Sequence, residues 1–579
     1  MIVSVLSMDC HRSTHRVLEF VVPGKSLPIS FTTSGGAVNA ELANFETLVH
    51  CAASHGEGEI TGTRTAVSSY VFTGAKRRTA SIPDRSPPAH TATFVADNGR
   101  MGMRRRAGVL SFVLGAFAGA APALGAPALT PSSIVSPLRE RVSEPTVAVS
   151  AEGRMLAAWD AVRGELEPDR YPSCGSTGTY GLVEARLGAV AHGWHGVQVL
   201  GVDGVGPVAA VGANGTAAVA WCSLAKPNVQ SLYVSIARPG RPFGRAMRVP
   251  IDCFVPEGLK VQPDGRVVVI CSKTLEYVLT PLKTRIEFAL LSPHGGQPVI
   301  GPIATSSPGA GVSMAETEAG DVLVAFPPLA PQGVKYPQDV SQLTPAARAF
   351  AAAQAIEPSK AAFIRAAKVV AGPGGAALDF DASQEENEED GMAEQLPDGM
   401  FGPSAPTIPL PSQSTGGQFT HEYGGPDIAF PAGGERVAIW DSILRLPAPP
   451  GPGEEGAVQS VTILAAVRPA GAGDFQAPVQ LSVGPGLSGP PKITTAGGTT
   501  LALWVQDEPH CRQRVYAATG ALGTAAAQVR AVSDSYTPAK GECGEGNGQL
   551  VLAGSGPNAI AGWMQGSALH IATETAATP

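Results

Sequence analysis

One spacing recurs along the chain and limits what it can fold into: Pro, seven residues, Gly, five residues, Trp. It reads Pro145, Gly153, Trp159 in EPTVAVSAEGRMLAAW and Pro207, Gly215, Trp221 in GPVAAVGANGTAAVAW. It returns as Pro426, Gly434, Trp440 in GPDIAFPAGGERVAIW and as Pro490, Gly498, Trp504 in PPKITTAGGTTLALW. Three looser copies keep the frame: Gly265 to Cys271, Gly320 to Phe326 and Pro557 to Trp563. A fixed internal period is the mark of a repeat architecture.

Each copy has a local physical reading. Alternating apolar residues before the Gly predict a short strand, and the Gly supplies the positive φ of a tight hairpin. The run ending in Trp is the return strand, and the leading Pro stands where no ladder donor is needed. A second strand pair follows most copies, as in 232–250, 286–302 and 461–482. One repeat is therefore four antiparallel strands in roughly 50–60 residues. Such a sheet, with a bulky ring on its second strand, cannot bury both faces alone. Stacking copies around an axis buries them and leaves only short edges. Each buried Trp removes about 150–250 Å² from water, on the order of 4–6 kcal/mol before entropy is subtracted. These Trp are thus expected in the packing between repeats.

Seven copies predict an all-β, seven-bladed β-propeller over residues 131–579. The chain stops three strands into its last repeat, and Ser133–Leu138 (SIVSPL) resembles 477–482 (APVQLS). This N-terminal strand is expected to complete the last blade and close the ring. Phe326 and Trp440 lie about twice the usual spacing apart, so residues 329–424 read as an insertion. Within it, Leu343–Ile356 is Ala-rich with Pro345 near its start and predicts a short helix. Asp379 to Asp398 holds nine acids and no Lys or Arg, which predicts a solvated, disordered loop. Residues 359–372 are expected as an outer strand of the fourth blade.

The first hundred residues lack the repeat and are expected to be an unstructured extension. Met101 to Arg106 then gives a basic start, 107–120 a short apolar run and 121–126 a small-residue exit. Those are the three parts of a secretory signal peptide over 101–126, with Met101 or Met103 as a candidate start. An apolar run this short is brief for a bilayer span. The expectation is a secreted or cell-envelope protein that meets the membrane only during export, and a monomer.

Six Cys follow the signal: Cys174, Cys222, Cys253, Cys271, Cys511 and Cys543. An even number in an exported chain reads as disulfides, and the propeller frame brings all six to one face. The pairs expected are Cys253–Cys271, Cys511–Cys543 and Cys174–Cys222. No CxxC spacing supports zinc, and no D-x-D-x-D-G loop supports calcium.

The same face would carry a binding or active site, so the charges following the second strands are the candidates. They are Asp160, Arg163, Asp169, Arg170, Asp441, Arg445, Asp507, Glu508, Arg512 and Arg514, with Asp160, Asp441, Asp507, Glu508, Arg170 and Arg512 foremost. Paired carboxylates there would serve as acid and base on a glycosidic bond, and Arg would clamp a substrate carboxylate. Alternatively these are solvated loop charges. His192 and His195 read as an outer loop. No G-x-S-x-G elbow or phosphate cradle is present, and no cofactor is implied. A net charge of −8 with no basic, aromatic-studded stripe argues against nucleic acid.

The repeats resemble secreted bacterial propellers, including the sialidase-like superfamily, at the level of fold. Sialidase Asp-boxes read S-x-D-x-G-x-T-W, with Gly three before Trp. Here the gap is six and the Ser-x-Asp is missing, so no catalytic residue carries over. The function expected is a binding or scaffold module for an extracellular protein or glycan; the alternative is a carbohydrate-active hydrolase or lyase at the channel mouth.

Overall fold

In this computed structural model the chain divides into two compact units, residues 1–114 and 115–579. The structure describes residues 2–10, 13–22, 25–34 and 37–41 of the first. Of the second it describes 129–138, 141–165, 179–226, 229–251, 255–274, 283–306, 311–329, 337–357, 363–384, 387–406, 420–423, 426–445, 458–484, 487–538 and 549–575. The expected signal peptide lies outside the described residues.

Residues 2–41, expected to be unstructured, form a four-stranded antiparallel meander: Ile2–Cys10, Ser13–Val22, Lys25–Ser34 and Ala37–Glu41. In the sequence, Pro-Gly follows the second of these strands and Gly-Gly the third, dipeptides that favour turns.

In the larger unit every described element is a strand and every pairing is antiparallel. The repeat is a four-stranded meander, as expected, but eight repeats rather than seven stand among the described residues. Their second strands are Arg154–Glu165, Ala217–Lys226, Val267–Thr274, Val322–Phe326, Gly375–Gln384, Arg436–Arg445, Thr499–Glu508 and Asn558–Gln565. The copy missed in the sequence is the fifth. Its strands Phe363–Gly372, Gly375–Gln384, Asn387–Glu394 and Ala405–Pro406 fill what had been read as an insertion.

Three local expectations fall with that correction. Residues 343–356 hold no helix: Gln338–Leu343 and Gln354–Ile356 are the outer strands of the fourth repeat. The acidic block is no loop, since most of it lies in the paired second and third strands of the fifth repeat. Residues 363–372 form the first strand of that repeat, not an outer strand of the fourth. The physical reason is shared. Charge density and Ala content were weighed above the alternation of Ala377, Asp379 and Asp381 with Leu378 and Phe380, and pairing on both sides of a strand overrides both.

The Trp residues are where the packing argument put them. Trp159, Trp221, Trp440, Trp504 and Trp563 are fully buried, and Phe326, Phe380 and Cys271 take the same place in the other three repeats. The larger unit has eight apolar clusters, each joining two consecutive repeats. The eighth packs Val142, Val147 and Trp159 of the first repeat against Ile560, Leu569 and Ile571 of the last. The first strands lie against one another in chain order, and Leu550–Ser555 of the last lies against Val142–Val149 of the first.

No sheet closes on itself. Ser133–Ile134 is the fourth strand of the last sheet, with Ile134 opposite His570 and Ser133 opposite Ile571. The Asn558 amide donates to the carbonyls of Ser150 (3.2 Å) and Ala151 (2.8 Å) in the first repeat. The first two repeats share one long strand, Gly193–Val211, which is the outer strand of one and the inner strand of the next. It crosses over the Trp221 ring, and Gly201 and Gly204 allow the approach: a Cβ on Gly201 would stand 2.7 Å from the Trp221 Nε1.

Candidate functional site

The start of each first strand lies beside the end of the second. In the first repeat Ser143 is opposite Asp160 and Val142 opposite Ala161. Charges following the second strands therefore meet the entries to the inner strands, and two groups of ionisable residues result.

Asp160 belongs to the first group. It is fully buried, and its Oδ2 accepts from the Gly206 N–H of the second repeat at 3.0 Å. Its other neighbour is Glu144, which was not anticipated. Glu144 sits in a bulge between Ser143 and Thr146 with φ of +49°, an uncommon conformation for a non-glycine residue. Burial, and then the negative charge of Glu144, push the Asp160 carboxyl well above the usual carboxylate range, against the pull of the Gly206 N–H. The pair lies at the seam of the first two repeats.

The second group runs along the inner strands and includes none of the sequence candidates. Lys260, Glu316, Lys368 and Asp427 stand on the first strands of the third, fourth, fifth and sixth repeats, alternating in sign. Lys368 Nζ pairs with Asp427 Oδ1, and Asp427 Oδ2 accepts from the Ile493 N–H of the seventh repeat at 3.0 Å. Burial raises Glu316 to about 7, opposed by Lys260. Burial lowers Lys260, offset by Glu316 and reinforced by Lys368.

The other foremost candidates are scattered. Asp441 is buried on the sixth repeat, opposite Ile463, and burial raises its carboxyl. Asp507 accepts from Gln513 Nε2 at 3.0 Å, and Glu508 pairs with Arg514 at 3.2 Å, both on the seventh repeat. Arg512 donates to the Ser535 carbonyl at 2.6 Å. Arg163 is exposed. Asp169 and Arg170 lie outside the described residues, as does the Arg445 side chain. The foremost acids thus stand on the first, sixth and seventh repeats. His192 and His195 are exposed at the outer turn and strand of the first repeat, where they were expected. Among the described residues no group of three or more His, Cys, Asp or Glu is placed to hold a metal ion.

Cys222 and Cys271 are buried on second strands and Cys511 is in a turn with φ of +55°. Cys174, Cys253 and Cys543, expected as their partners, lie outside the described residues.

No protein-family model matches the chain, and no curated protein does. Solved structures similar to it are propellers and carbohydrate-active folds at low identity. A polysaccharide lyase is 10% identical, covers 76% of this chain and 100% of its own, and gives a TM-score of 0.43. The β-propeller domain of the Trilobed protease from Pyrococcus furiosus is 8% identical over 69% of this chain and 99% of its own, with a TM-score of 0.37. A Hadza microbial sialidase is 12% identical over 63% of each chain, with a TM-score of 0.31. The resemblance is distant and at the level of fold. It carries nothing about activity.

Proposed function

We propose that this protein is an exported, monomeric eight-bladed propeller that serves as a binding or scaffold module for an extracellular protein or glycan. The observation that carries the non-catalytic reading is the placement of the foremost acids. Asp160 has no exposed surface, Asp441 is buried, and Asp507 is engaged by Gln513. Glycosidic bond hydrolysis needs two carboxyls about 5–10 Å apart facing one cleft. Closure of the ring through Ser133–Ile134 is supported by the eighth apolar cluster. The disulfides Cys174–Cys222, Cys253–Cys271 and Cys511–Cys543 belong to the same proposal.

A hydrolase or lyase is the second reading, favoured by Glu316, whose carboxyl titrates near neutrality on an inner strand. The full chain, incubated with a panel of neutral and acidic polysaccharides, separates the two. New reducing ends or unsaturated products that disappear in Glu316→Gln would establish the enzyme. Retention on one polysaccharide or extracellular protein without turnover supports the binding module.

A further inference from the structure

A cleft of about 600 Å³ opens between the outer strands of the first two repeats, within the size range of ligand sites. Leu187, Val197 and Pro242 give it apolar walls, and Arg154, Arg241 and His195 bring polar groups. The frame is fixed. Arg154 donates to the carbonyls of Arg238 (2.9 Å), Arg241 (3.1 Å) and Gly215, which staples the two repeats together. Arg186 donates to the His195 carbonyl at 2.6 Å and to Val135 O at 2.9 Å, and Gln198 accepts from the Phe243 N–H at 3.2 Å.

The charge here is one-sided. Residues 233–248, the hairpin forming one wall, contain Arg238, Arg241, Arg245 and Arg248 and no acid. All four are exposed. Carbonyl oxygens hold Arg154, Arg186 and Arg238, but among the described residues no carboxylate pairs with any of these six arginines. The chain as a whole is acidic, with net charge −8, so this patch departs from the background. A concave site with uncompensated cations and a short apolar wall complements an anion carried on a compact body.

We infer that this cleft binds an acidic polysaccharide, with Arg241 taking a carboxylate or sulfate group, a sugar ring lying on Val197 and Pro242, and the following arginines meeting further charges along the chain. A saccharide fits better than a nucleic acid because, among the described residues, no Phe, Tyr or Trp lines the cleft to stack on bases and His195 is the one ring there. It fits better than a lipid surface because the site is concave. The inference rests on the binding-module reading and names its ligand class and its place, which is the outer rim rather than the channel mouth.

The test is calorimetric titration of the full chain with polygalacturonate, dextran sulfate, neutral dextran and duplex DNA, repeated with Arg241→Ala and His195→Ala. Both substitutions are at exposed positions, and unchanged thermal unfolding would show that the fold is intact. Binding of polygalacturonate or dextran sulfate, weakened about tenfold or more by Arg241→Ala and by added salt, is expected, the scale of one charge-assisted hydrogen bond. Neutral dextran should not bind. Acidic-polysaccharide binding that ignores Arg241→Ala would overturn this site while leaving the module reading standing. Equal or tighter DNA binding lost in Arg241→Ala would overturn the saccharide assignment. Absence of binding to all four, with another extracellular ligand retained, would overturn the inference alone.

Discussion

The second and fifth repeats solve one packing problem with different residues. In the second, Trp221 fills the seam and stacks on Tyr233 of the third strand at 6.0 Å and 19°. In the fifth, Phe380 fills it, and the residue directly opposite is Gly391, where a Cβ would fall inside the ring's van der Waals surface. Around Trp221 the clearance comes from Gly201 and Gly204 on the strand arriving from the preceding repeat; around Phe380 it comes from the repeat's own third strand. The inner strands differ as well. Residues 204–211 of the second repeat carry no charge, whereas the fifth repeat's Lys368 sits between Glu316 and Asp427. The position of the ring is therefore general to the repeat, while the residues that make room for it and the chemistry of the inner seam are local.

If the two rings are equivalent, removing either should cost about the same. Trp221→Ala and Phe380→Ala are each expected to destabilise the larger unit by about 3–5 kcal/mol, the range for a large buried aromatic. Denaturant unfolding of the two variants side by side checks this. A cost near zero at Phe380 alone would break the comparison and return residues 329–424 to the status of an appendage.

That equivalence also explains what was legible. Four strict copies gave the repeat, its four strands, the burial of the Trp residues and the N-terminal strand beside His570. Gly374 to Phe380 keeps the spacing of Gly320 to Phe326, but the acids that follow Phe380 mask the strand pair behind it. Acidic residues on both sides of it made a strand look like a loop. The candidate site was less legible. Asp160 was named, but its partner Glu144 stands in a bulge, and bulges carry no fixed sequence signature. Glu316 and Lys260 become notable only through burial between repeats, a property of the assembled seam rather than of either strand.

The ionic inner seam makes its own prediction. Glu316 holds its proton up to about pH 7 when folded and only to about 4.5 when unfolded, so its contribution is full below about 4.5 and is lost as pH rises through about 7. Glu316→Gln should flatten the fall in stability across that window, with an upper bound of about 3 kcal/mol by pH 8. Unfolding curves at pH 5 and pH 8 read it out. An unchanged slope would place Glu316 in contact with water and remove the contrast with the uncharged second repeat.

A smaller effect tests the clearance. Phe380→Trp installs the residue that most repeats carry, yet the indole would press on the Gly391 backbone. We expect a loss of about 1–3 kcal/mol, the usual cost of overpacking. Gly391→Ala should cost a similar amount from the other side. Stabilisation by Phe380→Trp would mean that the third strand yields, and the two repeats would then be interchangeable in shape as well as in role.

The mildest test concerns the acidic block itself. Glu394 ends the third strand of the fifth repeat and is held by Arg436 Nε at 2.9 Å and by Arg468 Nη2, both of the sixth repeat. Those guanidiniums in turn lie over Phe430 (4.6 Å) and Phe475 (5.6 Å). The carboxylate is about one-third exposed, so solvent screens part of the attraction, and Glu394→Gln is expected to cost about 1 kcal/mol. Asp398, exposed in the turn that follows, should cost nothing measurable when changed to Asn. A difference between these two acids, read as a shift in the denaturation midpoint, would show that part of the block fastens the fifth repeat to the sixth, while Asp398, which accepts from the Met400 N–H at 3.0 Å, needs no charge for its turn. Equal and negligible effects would mean that the arginines find other acceptors, and that the apolar seam around Trp440 and Phe430 holds the two repeats together unaided.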